Sequence, residues 1–199
     1  ITLRGDGGFV ATGAAGKGTI PATGSGIRMM WHPAKAAFRA GAPTPTSWND
    51  DVTGVGSAAF GSGTTASGSY SLATGFFTQA TGSGAVATGY DTVSAGLGSF
   101  STGLRTRATG FHSFAGGRDS AASGHNSFAF GSALAAGEDA VAIGTSLDAA
   151  GEGSTVLGSY VTTTAAGRGS FVFGDRSTTT QFLGFQPNQF KVRAVGGTF

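Results

Sequence analysis

The sequence predicts an all-β protein, a β-solenoid of about nine 14-residue coils with non-repeat segments at both ends. Three observations predict it. Glycines recur at positions 54, 68, 82, 96, 110 and 124, then at 137, 151 and 167, so five steps of 14 residues give way to steps of 13, 14 and 16. A second glycine series runs seven residues behind the first, at 61, 75, 89, 103, 117, 131, 144, 158 and 174. Both series slip by the same amounts, so each half-unit is expected to keep its length while whole coils repeat. Between the glycines, small residues alternate with bulky ones.

That alternation fixes which way each side chain points. With the opening glycine as position zero, position three is Ser or Ala in every unit from Ser57 to Ser170, and position five is nearly as small, from Ala59 to Val172. Strand side chains alternate between faces, so positions three and five share one side and positions four and six the other. Position four carries Leu72, Val86, Phe100, Phe114, Phe128, Val141 and Phe171; position six carries Phe60, Phe130, Ile143, Leu157 and Phe173. A coil only 14 residues around has room inside for Ser and Ala and nothing larger, so the small face is read as the interior. The bulky face then points outward from a single chain, and an apolar stripe of that size marks an interface. The chain is expected to be an oligomer.

The second half-coil carries small residues at position ten (Thr64, Thr78, Thr92, Thr106, Ser120) and at position twelve (Ala66, Ala80, Ser94, Ala108, Ala122). Its positions nine and eleven are mixed: Phe77 and Gln79, Asp91 and Val93, Arg105 and Arg107, Asp119 and Ala121. This second sheet is expected to face water. The threonine ladder lies on the inward phase, so no flat Thr-x-Thr face is available for ice binding.

The unit G-x-x-S-x-A-x-G-x-x-T-x-A-x, as at 68–81 or 124–137, resembles the head repeats of trimeric autotransporter adhesins of the YadA type, and the resemblance covers residues 54–180. It implies a left-handed parallel β-roll and a homotrimer whose outward apolar residues meet on the threefold axis. It also implies work at a bacterial surface, binding matrix proteins or host cells. Similar repeats occur in phage-like fibre proteins that end in a self-cleaving chaperone domain, and the segments flanking the repeat resemble that group.

Residues 1–53 and 181–199 do not fit the repeat. The open ends of a solenoid expose backbone and core, so repeat arrays need caps. Met29, Met30, Trp31, Phe38 and Trp48 are read as the N-terminal cap, and Phe190 as part of a capping strand at the other end. That segment, Phe190-Lys191-Val192-Arg193-Ala194-Val195-Gly196-Gly197, loosely echoes Phe38-Arg39-Ala40-Gly41 through a related Phe…Arg-Ala element. Segments 1–4 and 8–11 read as short strands about a glycine turn. The chain opens at Ile1 rather than Met, so an upstream part is expected to have been removed.

Composition narrows the chemistry. Glycine at 37 of 199 residues is far above usual, yet it follows the coil and not a collagen period. A net charge of +2 is too small to argue for nucleic acid or membrane binding, and no apolar run approaches the roughly 20 residues a spanning helix needs. Cysteine is absent, which removes disulfides and thiolate chemistry. Gly13-Ala14-Ala15-Gly16-Lys17-Gly18-Thr19 fails as a phosphate loop, because Gly18 follows Lys17 and Ala11 stands where the first glycine is required. His32, His112 and His125 lack metal-ligand spacing, and Asp50 with Asp51 reads as a solvated turn before a cation site. No catalytic set shares a local element.

The expectation is therefore a non-enzymatic extracellular adhesin or fibre head without cofactor or metal. The alternative is a structural filament subunit that self-associates end to end through its flanking segments. For ligands, Arg105 and Arg107 fall on one side of the water-facing sheet with Arg118 one coil on, a basic patch suited to anionic glycans or acidic matrix proteins; solubility is the plainer reading of those charges. Phe76, Phe77 and Tyr90 sit in turns, where they would bind a ligand or pack against a neighbouring chain. Arg4-Gly5-Asp6 spells an integrin-binding tripeptide, with a structural glycine turn as its default reading.

Overall fold

The computed structural model describes residues 2–3 and 9–196, and Arg4-Gly5-Asp6 lies outside them. Coil stacks on coil throughout the repeat. Each coil contributes a longer strand to a front sheet and a shorter one to a back sheet, and coil-to-coil pairing is parallel. The front sheet includes Ala58–Ser62, Leu72–Phe76, Val86–Tyr90, Phe100–Leu104 and Phe114–Arg118. It continues through the first halves of Phe128–Ala135, Val141–Ala149 and Thr155–Thr163 to Phe171–Gly174. Register is kept residue for residue: Phe100 pairs with Phe114, Ser101 with Ala115 and Gly103 with Gly117.

Glycine is required at both series because successive coils touch backbone to backbone there. A Cβ on Gly82 would stand 2.1 Å from the carbonyl oxygen of Gly96, and one on Gly89 2.2 Å from that of Gly103. Position two is left-handed in every unit, whether occupied by glycine, as at Gly84 (φ +65°), or by Tyr70, His112, Asn126 or Asp139 at φ of +53° to +59°. The position-three amide then closes the turn onto the opening glycine's carbonyl, as Ser71 does to Gly68 at 3.3 Å. The Ser71 hydroxyl donates to that same carbonyl at 2.7 Å, and Ser113, Ser127 and Ser154 repeat the bond. Burying a hydroxyl without a partner costs free energy. Serine at position three supplies its own.

The interior is the small face, as the pattern predicts. Ala59, Ala73, Ala87, Ser101, Ala115, Ala129 and Ala142 are all sealed from solvent, as are Thr64, Thr78, Thr92 and Thr106 on the opposite wall. Larger residues nevertheless enter further along: Leu147, Val156, Val161 and Val172 are buried in the same slots. The expected limit to Ser and Ala is therefore too strict, and alternation of sizes is what keeps the width constant. Around Leu147 the facing positions are Ala140 and Ala142.

The slips in period fall wholly in the back half, so half-units do not all keep their length. Gly131 to Gly137 spans six residues instead of seven, and Gly158 to Gly167 spans nine. The short coil lacks the left-handed residue that turns the second corner elsewhere. Ser132 pairs with Thr145 and Ala133 with Leu147, leaving Ser146 (φ +57°) without a counterpart, and Phe128–Ala135 runs through the corner as one strand. The long coil places its extra residues after Thr163, in an exposed loop closed by the Gly167 amide on the Thr164 carbonyl at 2.8 Å.

The same register extends beyond residues 54–180 in both directions. Ala37–Ala42 pairs in parallel with Ala58–Ser62, with Phe38 against Ala58 and Gly41 against Gly61. Phe190–Arg193 pairs in parallel with Phe171–Gly174, with Phe190 against Phe171. The strand Arg28–His32 folds back antiparallel on Ala37–Ala42 after the 3-10 turn Pro33–Lys35. Trp48 is completely buried with Met30, Ala59 and Ala66, and its Nε1 donates to the Thr64 carbonyl at 2.8 Å. Met29, on the other face of its strand, is 64% exposed. Trp31 and Phe38 are half-buried, and Phe190 stands exposed on the front face, stacked on Phe171 at 5.5 Å.

Candidate interaction surfaces

The front face carries the apolar residues. Phe100, Phe114 and Phe128 form a stack with ring centroids 5.4 and 4.6 Å apart and planes within 8° of parallel, because the glycine register sets identical positions one above another. Leu72, Val86, Val141 and Phe171 continue the position-four column, half-buried. In the position-six column Phe60, Phe130, Ile143 and Phe173 are exposed and Leu157 is half-buried. The middle of that column is Thr74, Thr88 and Thr102, so the face is most apolar at its ends and along the phenylalanine stack.

The second corner departs from the expected arrangement. Position nine is not on the back sheet: Phe77, Asp91, Arg105 and Asp119 all have φ of +50° to +57° and turn the chain. A residue in that conformation cannot continue the strand's alternation, so Arg105 and Arg107 do not share a sheet face. The Arg105 guanidinium instead grips Asp119 in the next coil, with Nε at 2.6 Å from Oδ1 and a terminal nitrogen at 2.9 Å from Oδ2. Arg118 approaches the same carboxylate at 3.4 Å. Asp119 accordingly titrates below the usual carboxylate range, held by the Arg105 hydrogen bonds, and the Arg105 pKa is raised by the same contact. The basic patch is thus partly neutralised from within; Arg107 is the cation left on the back sheet in this group.

Phe76 and Tyr90 end their strands at that same corner and stack at 5.0 Å, with Phe77 edge-on to Phe76 at 4.4 Å. All three are exposed. The first corner carries its own exposed apolar residues at positions one and two: Val55, Tyr70, Leu97 and Phe111. Phe111 stacks on His125 at 4.8 Å. On the back sheet Asp148 lies between Leu134 and Thr162, and burial raises its pKa.

Sequence reasoning missed two cations in position-five slots, one sealed and one half-buried. Arg39 occupies the position-five slot of the coil before Gly54 and is fully buried. It donates to the carbonyls of Phe38 and Ser57 at 2.9 Å, to the Ser57 hydroxyl at 2.8 Å and to the Ala66 carbonyl at 3.0 Å. Burial lowers its pKa to about 10. Lys191 takes the equivalent slot at the far end, pairing with Val172 in register and donating to the Leu183 carbonyl, with Phe182 and Phe185 against its ammonium at 4.9 and 5.3 Å. The only signal was the weak echo between the two flanking segments.

Of the residues weighed for other chemistry, His32 and Asp50 meet and the other two histidines stand elsewhere. His32 is buried with Nε2 2.6 Å from Asp50 Oδ1, and Lys35 donates to the Asp50 carbonyl, so Asp50 serves the N-terminal turn. His112 lies over Gly98 and His125 against Phe111. Among the described residues no group of three or more His, Asp or Glu is placed to hold a metal ion. No described helix is long and apolar enough to cross a membrane.

Comparison with known proteins agrees with this geometry. Residues 53–78, 108–133 and 135–160 match the YadA head domain repeat (2 copies). No curated protein matches the chain. The matched segments are three stretches of the coil stack described above.

Proposed function

We propose that the chain is a non-enzymatic attachment head that assembles as a homotrimer and works outside the cell, at a bacterial surface. The observation that supports this reading is the front face. Phenylalanines 100, 114 and 128 are aligned in a rigid, glycine-registered stack with no covering element from their own chain among the described residues. An outward apolar column of this length calls for a partner surface, and YadA-type heads are adhesin modules. Three identical columns converging on one axis would cover one another.

Binding then falls to what remains outside, the back sheet with Arg107 and the second corner. Matrix proteins and anionic glycans are the ligand classes its chemistry suits. The end-to-end filament is the weaker reading. Arg28–His32 already covers the edge of Ala37–Ala42 as an antiparallel strand, so a further roll cannot continue the parallel ladder at that end.

Sedimentation equilibrium tests assembly: the expected mass is three times 19.5 kDa. Electron microscopy should show discrete short particles, and an array of immobilised matrix proteins and glycans should retain them. A monomer in sedimentation, or long uniform fibres in the microscope, would overturn the reading.

A further inference from the structure

Two corners of each coil carry exposed apolar residues that the proposed trimer must place somewhere. A threefold ring is built from one heterologous contact repeated, so the leading edge of each copy meets the trailing edge of the next. With the front sheets facing the axis and the rolls running along it, those two edges are the two corners of the coil. Rotation about the axis leaves height unchanged. Positions eight and nine of a given coil in one copy must therefore face positions one and two of the same coil in the next.

The side chains at the two corners match at equal height in the coils that open at Gly68, Gly82 and Gly96; in the next coil Phe111 is level with Arg118 and Asp119. In the coil that opens at Gly68, Tyr70 on the first corner stands level with Phe76 and Phe77 on the second. One coil on, the bulky Tyr90 is level with the small Ser83 and Gly84; one further, Leu97 is level with Leu104. In the two coils that open at Gly124 and Gly137 both corners are polar, with His125 level with Ser132 and Glu138 level with Thr145. Tyr70 is 73% and Phe77 45% exposed in the single chain, though each ring already covers a glycine of the coil before it, Gly56 and Gly63.

From this matching we infer that Phe76, Phe77, Tyr90 and Leu104 of one copy dock on Tyr70 and Leu97 of the next, forming an aromatic seam between protomers over the three coils that open at Gly68, Gly82 and Gly96. The occupant of this surface is a second copy of the chain and not a ligand. The inference rests on the trimeric reading and adds to it which edges meet. It also leaves Arg107 and the back sheet as the outer, ligand-accessible side.

The absence of cysteine makes the test clean. The full-length chain carrying both Tyr70→Cys and Phe77→Cys is treated with a short bis-maleimide. Within one copy the two sites lie at opposite corners, separated by the five-residue strand Leu72–Phe76, about 17 Å at 3.3 Å per residue, so a short linker joins only different copies. The expected product is a covalent trimer on a denaturing gel, with none from either single variant. Leu97→Cys with Leu104→Cys is the second pair, should the first fold poorly. Tyr70→Cys with Tyr160→Cys is the control: Tyr160 turns the second corner six coils higher, about 29 Å away at 4.8 Å per coil, and no product is expected. A protein that sediments as a trimer but yields no covalent product from either pair overturns the seam and leaves the trimer standing. A protein that sediments as a monomer overturns both.

Discussion

Arg39 and Lys191 occupy the same slot of the coil at opposite ends of the stack, where every intervening coil has Ala, Ser or Val. A guanidinium with four bonds to neutral acceptors and no carboxylate partner among the described residues is an uncommon thing to bury. Its acceptors explain it. Ser57 and Ala66 belong to the first coil that opens on a glycine, and Arg39 reaches across that coil from front wall to back.

Replacing Arg39 by Ala gives the slot its usual occupant and removes that cross-tie. Hydrogen bonds from charged donors are worth about 1.5–3 kcal/mol each, against which the cost of burying the charge is recovered. We expect a net loss of about 1–3 kcal/mol in urea denaturation. Equal or higher stability of Arg39→Ala would mean that the cross-tie does not hold the first coil.

Phe114 sits at the centre of the front stack, between Phe100 and Phe128. Burying a Phe contributes roughly 1.5–3 kcal/mol, and in a trimer one substitution acts three times. Phe114→Asp should therefore yield monomer or unfolded chain in analytical ultracentrifugation. Recovery of a folded trimer would refute the front face as the interface.

Ala115, the next residue, points the other way, sealed between Ser101 and Ala129 of the adjacent coils. Overpacking a filled site costs roughly 1–3 kcal/mol, and here both walls are pinned by ladder hydrogen bonds. Ala115→Leu should lower the melting temperature well beyond Gln79→Leu, which adds an exposed side chain on the back sheet. The stack does accept Leu147 inside, but opposite two alanines in its own coil; Ala115 has Ser113 beside it and Ser120 and Ala122 across. Similar melts for the two variants would mean that the coil is wider than this packing implies.

Asp175 closes the last coils. It accepts from the Ser177 hydroxyl and amide and from the Val195 amide at 2.7 Å, with Arg193 Nε at 3.3 Å, and these bonds hold its pKa at about 2, led by the Ser177 hydroxyl. The folded value lies below the roughly 3.9 of an unfolded Asp. Between the two, the unfolded chain binds a proton that the folded one does not, so stability falls as pH drops from about 4 toward about 2. Asp175→Asn should flatten that part of the acid-unfolding curve without changing its slope near neutrality. An unchanged acid limb would refute the assignment.

Much of this was legible in the sequence because side-chain size and glycine placement are dictated by one narrow cross-section. Ser57 and Ala59 had to face inward, and Phe114 outward, once the period was known. What escaped was whatever breaks that rule. A cation is read as a solvated residue, so Arg39 and Lys191 could not be assigned to position-five slots from type alone. Arg105 was counted onto the back sheet because alternation was carried through a corner that a left-handed residue interrupts. Leu147 and Val161 required knowing that their coils offset them with small partners. The front corner of the first coil was hidden because Ala36 (φ +49°) makes the left-handed turn before Ala37–Ala42 where glycine would have announced it.

The fixed front half and the elastic back half have an evolutionary consequence. Each coil meets only the one before and the one after, through the same glycine contacts and the same pairs of positions. Duplicating or losing a single 14-residue unit therefore lengthens or shortens the coil stack by about 4.8 Å and leaves every other junction as it was. Slippage between near-identical repeats becomes a tolerated event rather than a lethal one, and the sealed terminal turns travel with the ends. The length of the stack is then a heritable quantity that can drift in small, equal increments.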